Sequence, residues 1–366
     1  MENKDTIVLT RRIQLFINLD DKELIGNAYK TLYQWQYVCF RAANYIFTHL
    51  YLQEQIKDLF YLNDETRVKL ADIKKDADGI LTTSKMNTTY QVLAKNFKGE
   101  IPMHILGSLN MTLNTNFNNE RVAYLKGERS IRNYKRDIPV PFGSDNIKKW
   151  QLTEDERNFT FNLFGIPFRT YLGKDFNDKK LLLDKMLAGM VKLCTSSIQL
   201  KENKIYLLAA FRQEKEKHDL DEKIIAEAAL SIDYPVIVTV GKTRYNIGSK
   251  EEFLYRRLAI QSARRRLQKA VAYNSGGRGR GKKLQALNRF AETEKNYVNS
   301  RMHLYSRKLI DICVKHGAAT LILTDQQGKE EAAKEDDFLL RNWSYHALKE
   351  KISYKAEKAG ISIIVE

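Results

Sequence analysis

Cysteine is scarce in this chain of 366 residues, which contains three. Cys39, Cys194 and Cys313 lie far apart, so no CxxC pair is present to bind zinc or to build a disulfide framework. The sequence also lacks any run of about 18 apolar residues, the usual length of a membrane-spanning helix. Its charged first residues, 1–5, are not followed by the apolar core of a signal peptide. These absences predict a cytoplasmic protein with reduced cysteines and no membrane partner.

Basic residues, by contrast, are abundant. Lys and Arg number 61 against 45 Asp and Glu, a formal net charge of +16. Between Arg256 and Lys308, ten Arg and five Lys stand against two Glu, a local balance of +13. Such a concentration of positive charge favours a polyanionic partner. Because no strongly apolar face accompanies these charges, we expect nucleic acid rather than a membrane surface.

The first 131 residues are mainly helical in pattern. Residues 6–17 are β-rich, and Asp20 or Asp21 then caps a helix. Further helices are predicted over 59–77, 84–97 and 102–122. Most aromatic residues of the first helix should lie in the core, with one or two free to stack on bases. They are Tyr29, Tyr33, Trp35, Tyr37, Phe40, Tyr45 and Phe47.

The next segment is rich in short alternating stretches, which are typical of strands. The two prolines of 139–141 exclude a helix interior there. Residues 197–200 and 205–208 predict a hairpin, and Leu181 to Leu193 predicts a helix among the strands. We therefore expect a β-rich domain made of 1–20 and 132–222, interrupted by a helical domain over 21–131. The charged stretch Gln213 to Asp221 is predicted to be a linker.

The last third is organised around Leu230-Ser231-Ile232-Asp233, which predicts a buried strand with a carboxylate at its end. Residues 236–240 and 243–247 add two further strands. Two long basic helices come next, separated by residues 274–283, whose four glycines predict a loop without regular structure. A buried strand, a helix and a last strand complete the order of elements. This order predicts a ribonuclease-H-like α/β core.

The arrangement resembles the transposon-encoded TnpB proteins and the miniature type V CRISPR effectors, especially the compact type V-F group. The segment from Arg129-Ser130 to Ile138-Pro139-Val140-Pro141 is similar to the stretch by which such effectors leave their helical domain. Ser231-Ile232-Asp233 looks like their first RuvC motif. Asn299-Ser300-Arg301 resembles the approach to the second motif, and Trp343 to Ile361 resembles the segment on its C-terminal side. The resemblance covers nearly the whole chain and is most specific in its last third.

The resemblance implies an α+β multidomain fold. Its parts would be a β-barrel-like wedge domain, similar to an OB fold, a helical recognition domain, and a RuvC domain over 223–366. In the family a zinc ribbon and a third motif come after the last strand. We expect neither after Ile361 to Glu366, so this RuvC domain is predicted to be truncated.

Two departures affect the nuclease site. Family nucleases use three acids to hold two divalent metals about 4 Å apart. Asp233 stands at the first position, but Pro235 replaces the glycine that usually occurs two residues later. Thr324 stands where the second motif has Glu, and a neutral hydroxyl does not supply the charge that a Mg²⁺ pair needs. We therefore expect Asp233 and Thr324 to be vestigial and no metal or other cofactor to be bound.

The expected function is that of a nuclease-inactive, RNA-guided DNA-binding protein. It would bind a guide RNA and a complementary double-stranded DNA target beside a short flanking motif. It would regulate transcription in the nucleoid, by occluding a promoter or by recruiting a sigma factor with RNA polymerase. A second copy on one guide RNA is a further expected partner.

Two alternatives remain open. One is an active RuvC-type DNA endonuclease that uses Asp233 and Asp325 with Glu330, Glu331 or Glu366. The other is an RNA-binding protein that carries no guide and has no DNA target.

The candidate nucleic-acid contacts form two groups. Cations of the long helices and the glycine-rich segment are assigned to phosphates: Arg257, Arg264, Arg265, Arg266, Lys269, Arg278, Arg280, Lys282 and Lys283. Residues before the prolines are assigned to the guide RNA or the flanking DNA motif: Arg129, Arg132, Tyr134, Lys135 and Arg136.

Overall fold

The computed structural model describes residues 6–60, 85–174, 178–229, 234–272, 279–324 and 345–365. The chain divides into two compact units. The first unit is Val8–Gln213, and the second is Glu214–Glu366 together with Met1–Ile7.

The first unit combines helices with an eight-stranded sheet. Its helices are α1 (Lys22–Phe60), α2 (Lys85–Phe97), α3 (Met103–Leu125) and α4 (Lys179–Leu187), with a short 3₁₀ turn at Ser144–Asn146. Its strands are β1 (Thr6–Ile17), β2 (Val140–Phe142), β3 (Ile147–Leu152), β4 (Phe159–Leu163), β5 (Ile166–Tyr171), β6 (Lys192–Leu193), β7 (Ser196–Lys201) and β8 (Lys204–Glu214). The strand order is β2-β7-β8-β1-β5-β4-β3, and β6 pairs with β8.

Helix α1 is a single element of 39 residues. Its start agrees with the predicted cap, because the Glu23 backbone N–H donates to Asp21 Oδ1 over 2.8 Å. The helix packs into the same hydrophobic core as the sheet. Buried Phe47 contacts the rings of Phe117 and Tyr124 of α3 at centroid distances of 5.5 and 6.0 Å. The helices and the sheet of the first unit therefore share one hydrophobic core.

The hairpin of β7 and β8 confirms the prediction from alternating residues. Lys201 pairs with Lys204, which leaves Glu202 and Asn203 as a two-residue loop. Both loop residues have positive φ values, 52° and 59°. Such angles characterise the turn whose twist matches that of the flanking strands.

The prediction of a helix from Leu181 to Leu193 is wrong at its end. The helix stops at Leu187, and Gly189 lies just beyond it with a φ of 74°. A left-handed glycine ends a helix because it redirects the chain at little steric cost. The chain then enters β6 and returns to the sheet. The helix predicted over 59–77 lies largely outside the described residues, since α1 ends at Phe60.

The second unit is built on a five-stranded sheet in the order β11-β10-β9-β12-β13. Its strands are β9 (Asp221–Ala229), β10 (Val236–Val240), β11 (Thr243–Ile247), β12 (Ala318–Thr324) and β13 (Ser362–Val365). Its helices are α5 (Lys250–Ala272), α6 (Gly279–Lys315) and α7 (Tyr345–Ala359). Strands β9, β10 and β11 are antiparallel, whereas β12 runs parallel to both β9 and β13.

The first strand of this sheet lies earlier than the sequence predicts. It covers Asp221–Ala229, and the segment predicted as the strand, Leu230 to Asp233, falls outside the described residues. The linker prediction is accordingly wrong at Asp221. The strand is hard to predict because it begins with three charged residues, Asp221, Glu222 and Lys223. Its buried residues are alanines, which favour strands weakly. Pairing with β10 and β12 on its two sides overrides that local preference.

The prediction of irregular structure over 274–283 is wrong for its second half. Helix α6 begins at Gly279 and includes Gly281. Each helical glycine costs roughly 1 kcal/mol relative to alanine. Extending an existing helix is nevertheless far easier than starting one, and the later turns of α6 pack firmly on α5 and α7. Residues 274–278 lie outside the described part of the chain.

The core of the second unit lies between the sheet and the helices. Met302, Tyr305 and Leu309 of α6 are buried there with Leu348 and Ile352 of α7. In the parts of the chain that the structure describes, no helix is long and apolar enough to cross a lipid bilayer.

Candidate nucleic-acid interface

The helices α5 and α6 carry most of the positive charge of the second unit. Phe253, Leu254 and Ile260 of α5 are buried. Several cations predicted to contact phosphates are exposed on these helices: Arg265, Arg266, Lys269 and Lys282. Since cationic side chains on a shared surface attract a polyanion, this face is the first candidate interface.

Two cations of the predicted set, Arg257 and Arg264, are engaged within the helix pair. Arg257 is 12% exposed, and its Nε lies 3.0 Å from Oε1 of Glu294, which is 13% exposed. Gln261 Nε2 donates to the same oxygen over 2.8 Å. Arg264 Nη1 lies 3.8 Å from the other carboxylate oxygen. These contacts hold α5 and α6 together and lower the pKa of Glu294 against the effect of its burial, which alone would raise it.

For the remaining cations of this group, the structure describes the side chain of one, only the backbone of another, and nothing of the third. Lys283 is half-buried, and its Nζ lies 3.5 Å from the Ala270 carbonyl oxygen. The backbone of Arg280 lies in the first turn of α6. Arg278 lies outside the described residues. Arg256 and Arg289 are also exposed on these helices, although the sequence alone did not single them out. Their position in the basic stretch was the available signal, but their orientation depends on how the helices pack.

The second candidate surface is the segment that connects α3 to β2 in the first unit. Glu120 of α3 is 12% exposed and accepts a hydrogen bond from Arg132 Nε over 2.6 Å. Arg132 Nη2 and the Tyr124 hydroxyl donate to the same carboxylate. Arg129 Nη1 lies 2.9 Å from Glu120 Oε1. Arg129 and Arg132 therefore attach this segment to α3, whatever further contacts they make.

Tyr134 anchors the same segment to α1. Its backbone N–H donates to Asn44 Oδ1 over 2.9 Å, and its carbonyl accepts from Asn44 Nδ2 over 3.0 Å. Its ring packs edge-on against Phe47 at 5.4 Å, and burial raises the pKa of its hydroxyl. Lys135 and Arg136, in contrast, are exposed. The anchored residues thus present two cations to solvent.

Of the two residues predicted to be vestiges of the nuclease site, the structure describes Thr324, at the carboxyl end of β12. Thr324 ends β12 and pairs with Ala229, the last residue of the parallel strand β9. The carboxyl ends of β9 and β12 are therefore neighbours, and the chain continues from β9 toward Asp233. Asp233, Asp325, Glu330, Glu331 and Glu366 lie outside the described residues. Within the residues that are described, no group of three His, Cys, Asp or Glu is placed to hold a metal.

No protein-family model matches the chain. A sequence match is found with the CRISPR-associated endodeoxyribonuclease Cas12f1 of Sulfoacidibacillus thermotolerans, which is 27% identical over 260 residues. This match covers 66% of the chain and 60% of that protein. The chain is a homologue of the miniature type V-F effectors. Cas12f1 of Syntrophomonas palmitatica is 26% identical over 111 residues, or 30% of the chain and 22% of that relative.

A comparison of the fold with solved structures also finds Cas12f proteins. A cryo-EM structure of a Cas12f1–sgRNA–target DNA complex superimposes with a TM-score of 0.67 at 15% identity. The superposition covers 98% of the chain and 89% of that Cas12f1 chain. The mixed α/β architecture expected from the resemblance is thereby confirmed at the level of the fold. The domain boundaries and the roles of individual site residues stay predictions. The sequence match with the first relative spans about three fifths of that relative's length.

Proposed function

We propose that the chain binds a guide RNA and, through it, a complementary double-stranded DNA target, without cutting that target. The observation that carries the proposal is the match with Cas12f1 in both sequence and fold. Effectors of this kind read sequence by base pairing, while the protein grips the backbone of the heteroduplex and reads a short flanking motif. A grip of this kind requires exposed cations.

The two candidate surfaces are suited to such a grip. Arg265, Arg266 and Lys269 face solvent on α5, and Lys282 does so on α6. Lys135 and Arg136 face solvent on the segment fixed by Glu120 and Asn44. We assign the first set to nucleic-acid phosphates and the second to the guide RNA or the flanking DNA.

The proposed loss of nuclease activity rests on Thr324. This residue ends the strand next to β9, and from that position it would face the metals of a nuclease. A threonine hydroxyl brings no negative charge to a pair of divalent cations, which prefer carboxylate ligands. A protein that binds DNA in this way without cutting it would act on transcription. It would occlude a promoter or bring a sigma factor and RNA polymerase to the target, and a second copy would share the guide RNA.

The decisive experiment begins with the protein expressed together with its native locus. RNA that co-purifies is sequenced, and binding is measured by mobility shift on a duplex that matches the variable segment of that RNA. We expect a discrete RNA, retardation of the matched duplex in preference to a scrambled one, and no Mg²⁺-dependent cleavage of the bound DNA.

Active endonuclease is the second candidate function, because both sequence relatives are named endodeoxyribonucleases. Clean Mg²⁺-dependent cutting that is abolished by Asp233→Ala would establish it and refute the proposed inactivity. Recovery of bulk cellular RNA, with no preference for the matched duplex, would instead contradict guided binding.

A further inference from the structure

A ridge that turns gradually around α1, by about 40° at each step, carries side chains at intervals of four residues. Tyr29, Tyr33, Tyr37, Arg41 and Tyr45 succeed one another at this spacing, and we call them the tyrosine ridge. Residues four apart are neighbours on a helix surface and form one continuous ridge. Successive members lie about 6 Å apart along the helix axis, given a rise of about 1.5 Å per residue, and Arg41 separates the rings of Tyr37 and Tyr45.

The structure separates these tyrosines from the aromatic core of the same helix. Tyr33, Tyr37 and Tyr45 are 41%, 47% and 49% exposed, whereas Trp35 and Phe47 are 8% and 0% exposed. Tyr29, at the start of the ridge, is half-buried, and its pKa is raised mainly by burial and further by Tyr33. Three neighbouring exposed rings thus remain on a helix whose opposite face already supplies the core.

Positive charge surrounds the middle of the ridge. The guanidinium carbon of Arg41 lies 5.8 Å from the centroid of the Tyr37 ring, and that of Arg136 lies 5.9 Å from it. Arg41 also lies over Phe97 at 5.4 Å and pairs with Glu100 at 3.5 Å, which fixes its position. Arg136 approaches from the segment anchored by Tyr134, so two separate elements bring cations to one exposed ring.

The geometry points to the tyrosine ridge as a surface on which unpaired bases of a single-stranded polynucleotide stack, with phosphates bound by Arg41 and Arg136. Exposed aromatic rings beside cations are the combination that binds single strands without reading their sequence. A duplex presents its base faces only at its ends, so the ridge discriminates against it. The inference deepens the proposed function, because guided recognition leaves unpaired segments in the guide RNA and in the displaced DNA strand.

The test uses the full chain, purified without guide RNA, and fluorescence anisotropy. The probes are labelled oligo(U) and oligo(dT) of about a dozen nucleotides, within the usual site size, and a blunt duplex of the same length. The double variant Tyr37→Ala/Tyr45→Ala should bind the single strands roughly tenfold more weakly. The Tyr37→Phe/Tyr45→Phe variant should bind like wild type, since it keeps the rings. Binding of the duplex should change less than twofold.

Tyr90→Ala is the matched control, because Tyr90 is 40% exposed but lies on helix α2 beside Gly107 of α3 rather than among the tyrosines of α1. It should leave single-strand binding unchanged. If the alanine pair unfolds, as shown by circular dichroism, the exposed Arg136→Gln variant replaces it and should also weaken single-strand binding. Stronger binding of oligo(U) than of oligo(dT) would assign the ridge to RNA, and the reverse would assign it to DNA.

Unchanged single-strand affinity in a folded alanine pair would overturn the inference, and the ridge would then be free for a protein partner. An equal loss in the phenylalanine pair would overturn it as well, since stacking would not be the cause. Mobility shift on the guide-matched duplex separates this failure from that of the proposed function. If the wild type shows guided binding but the alanine variants bind single strands as tightly as the wild type, the role of the ridge alone is refuted. If the alanine variants lose single-strand binding but the wild type shows no guided binding, the proposed function alone is refuted.

Discussion

At the scale of single residues, the Glu120 carboxylate is engaged by three side chains, those of Arg129, Arg132 and Tyr124. Its hydrogen bonds to Arg132 and Tyr124 lower the pKa of its carboxyl from 4.5 to about 2. A carboxyl whose pKa is lower in the folded state stabilises the protein at pH values above its ordinary pKa. That stabilisation is lost as the pH falls from about 4.5 toward 2.

Glu120→Gln should therefore lower the free energy of unfolding at pH 7 by about 2 kcal/mol, the usual value for hydrogen bonds to a charged group. The difference from wild type should shrink as the pH is lowered to about 3. At that pH the carboxyl is largely protonated in the unfolded chain but, with a pKa of about 2, still ionised in the folded protein, so proton uptake favours unfolding. Urea unfolding at the two pH values measures both effects. Glu128→Gln is the control, since the Glu128 carboxylate is exposed and its pair with Lys126 is long, at 3.8 Å. A loss that does not depend on pH would contradict the ionic role of Glu120.

At the scale of elements, the connection between β11 and α5 depends on one glycine. Gly248 has a φ of +76°, and a Cβ there would lie 2.7 Å from Tyr305 Cε1 and 3.0 Å from Pro235 Cγ. Tyr305 is 1% exposed and has little room to move. Gly241, in the turn between β10 and β11, also has a positive φ, +59°, but nothing lies within 4 Å of its Cβ position.

Gly248→Ala should lower the free energy of unfolding by roughly 3 kcal/mol, from backbone strain and overpacking together. Gly241→Ala should cost about 1 kcal/mol, from the backbone alone. Urea unfolding of the two variants compares them directly. Equal losses in both would show that the contact with Tyr305 does not restrict this position.

At the scale of the whole molecule, the charge balance predicts how binding responds to salt. Each phosphate contact adds about 0.7 to 0.9 to the slope of log K against log salt concentration. If the exposed Arg265 and Arg266 contact phosphates, the variant Arg265→Ala/Arg266→Ala should reduce that slope by about 1.4 to 1.8. Mobility-shift titrations at several salt concentrations measure the slope.

Arg257→Ala offers a matched comparison on the same helix. Because its guanidinium is engaged by Glu294, its loss should lower stability and leave the salt slope of the folded protein unchanged. A reduced slope for Arg257→Ala, or an unchanged slope for Arg265→Ala/Arg266→Ala, would contradict this division of roles.

The amino-acid sequence by itself determined the elements whose signals are local. The Asp21 cap of α1, the hairpin of β7 and β8 and the strand β12 each arise from side chains close in the chain, and the structure confirms them. It also determined the basic character of the molecule and the family resemblance, since both depend on which residues are present and in what order.

Tertiary structure decided what depends on distant partners. Strand β9 consists mostly of charged residues and alanines, and it forms because β10 and β12 pair with it on either side. The Arg257 side chain is largely buried because it forms a hydrogen bond with Glu294, which is 37 residues away in the sequence. The four-residue spacing of the tyrosine ridge is visible in the sequence, but only packing separates its exposed rings from buried Trp35 and Phe47. A periodic pattern identifies the faces of a helix, whereas the rest of the fold decides which face is covered.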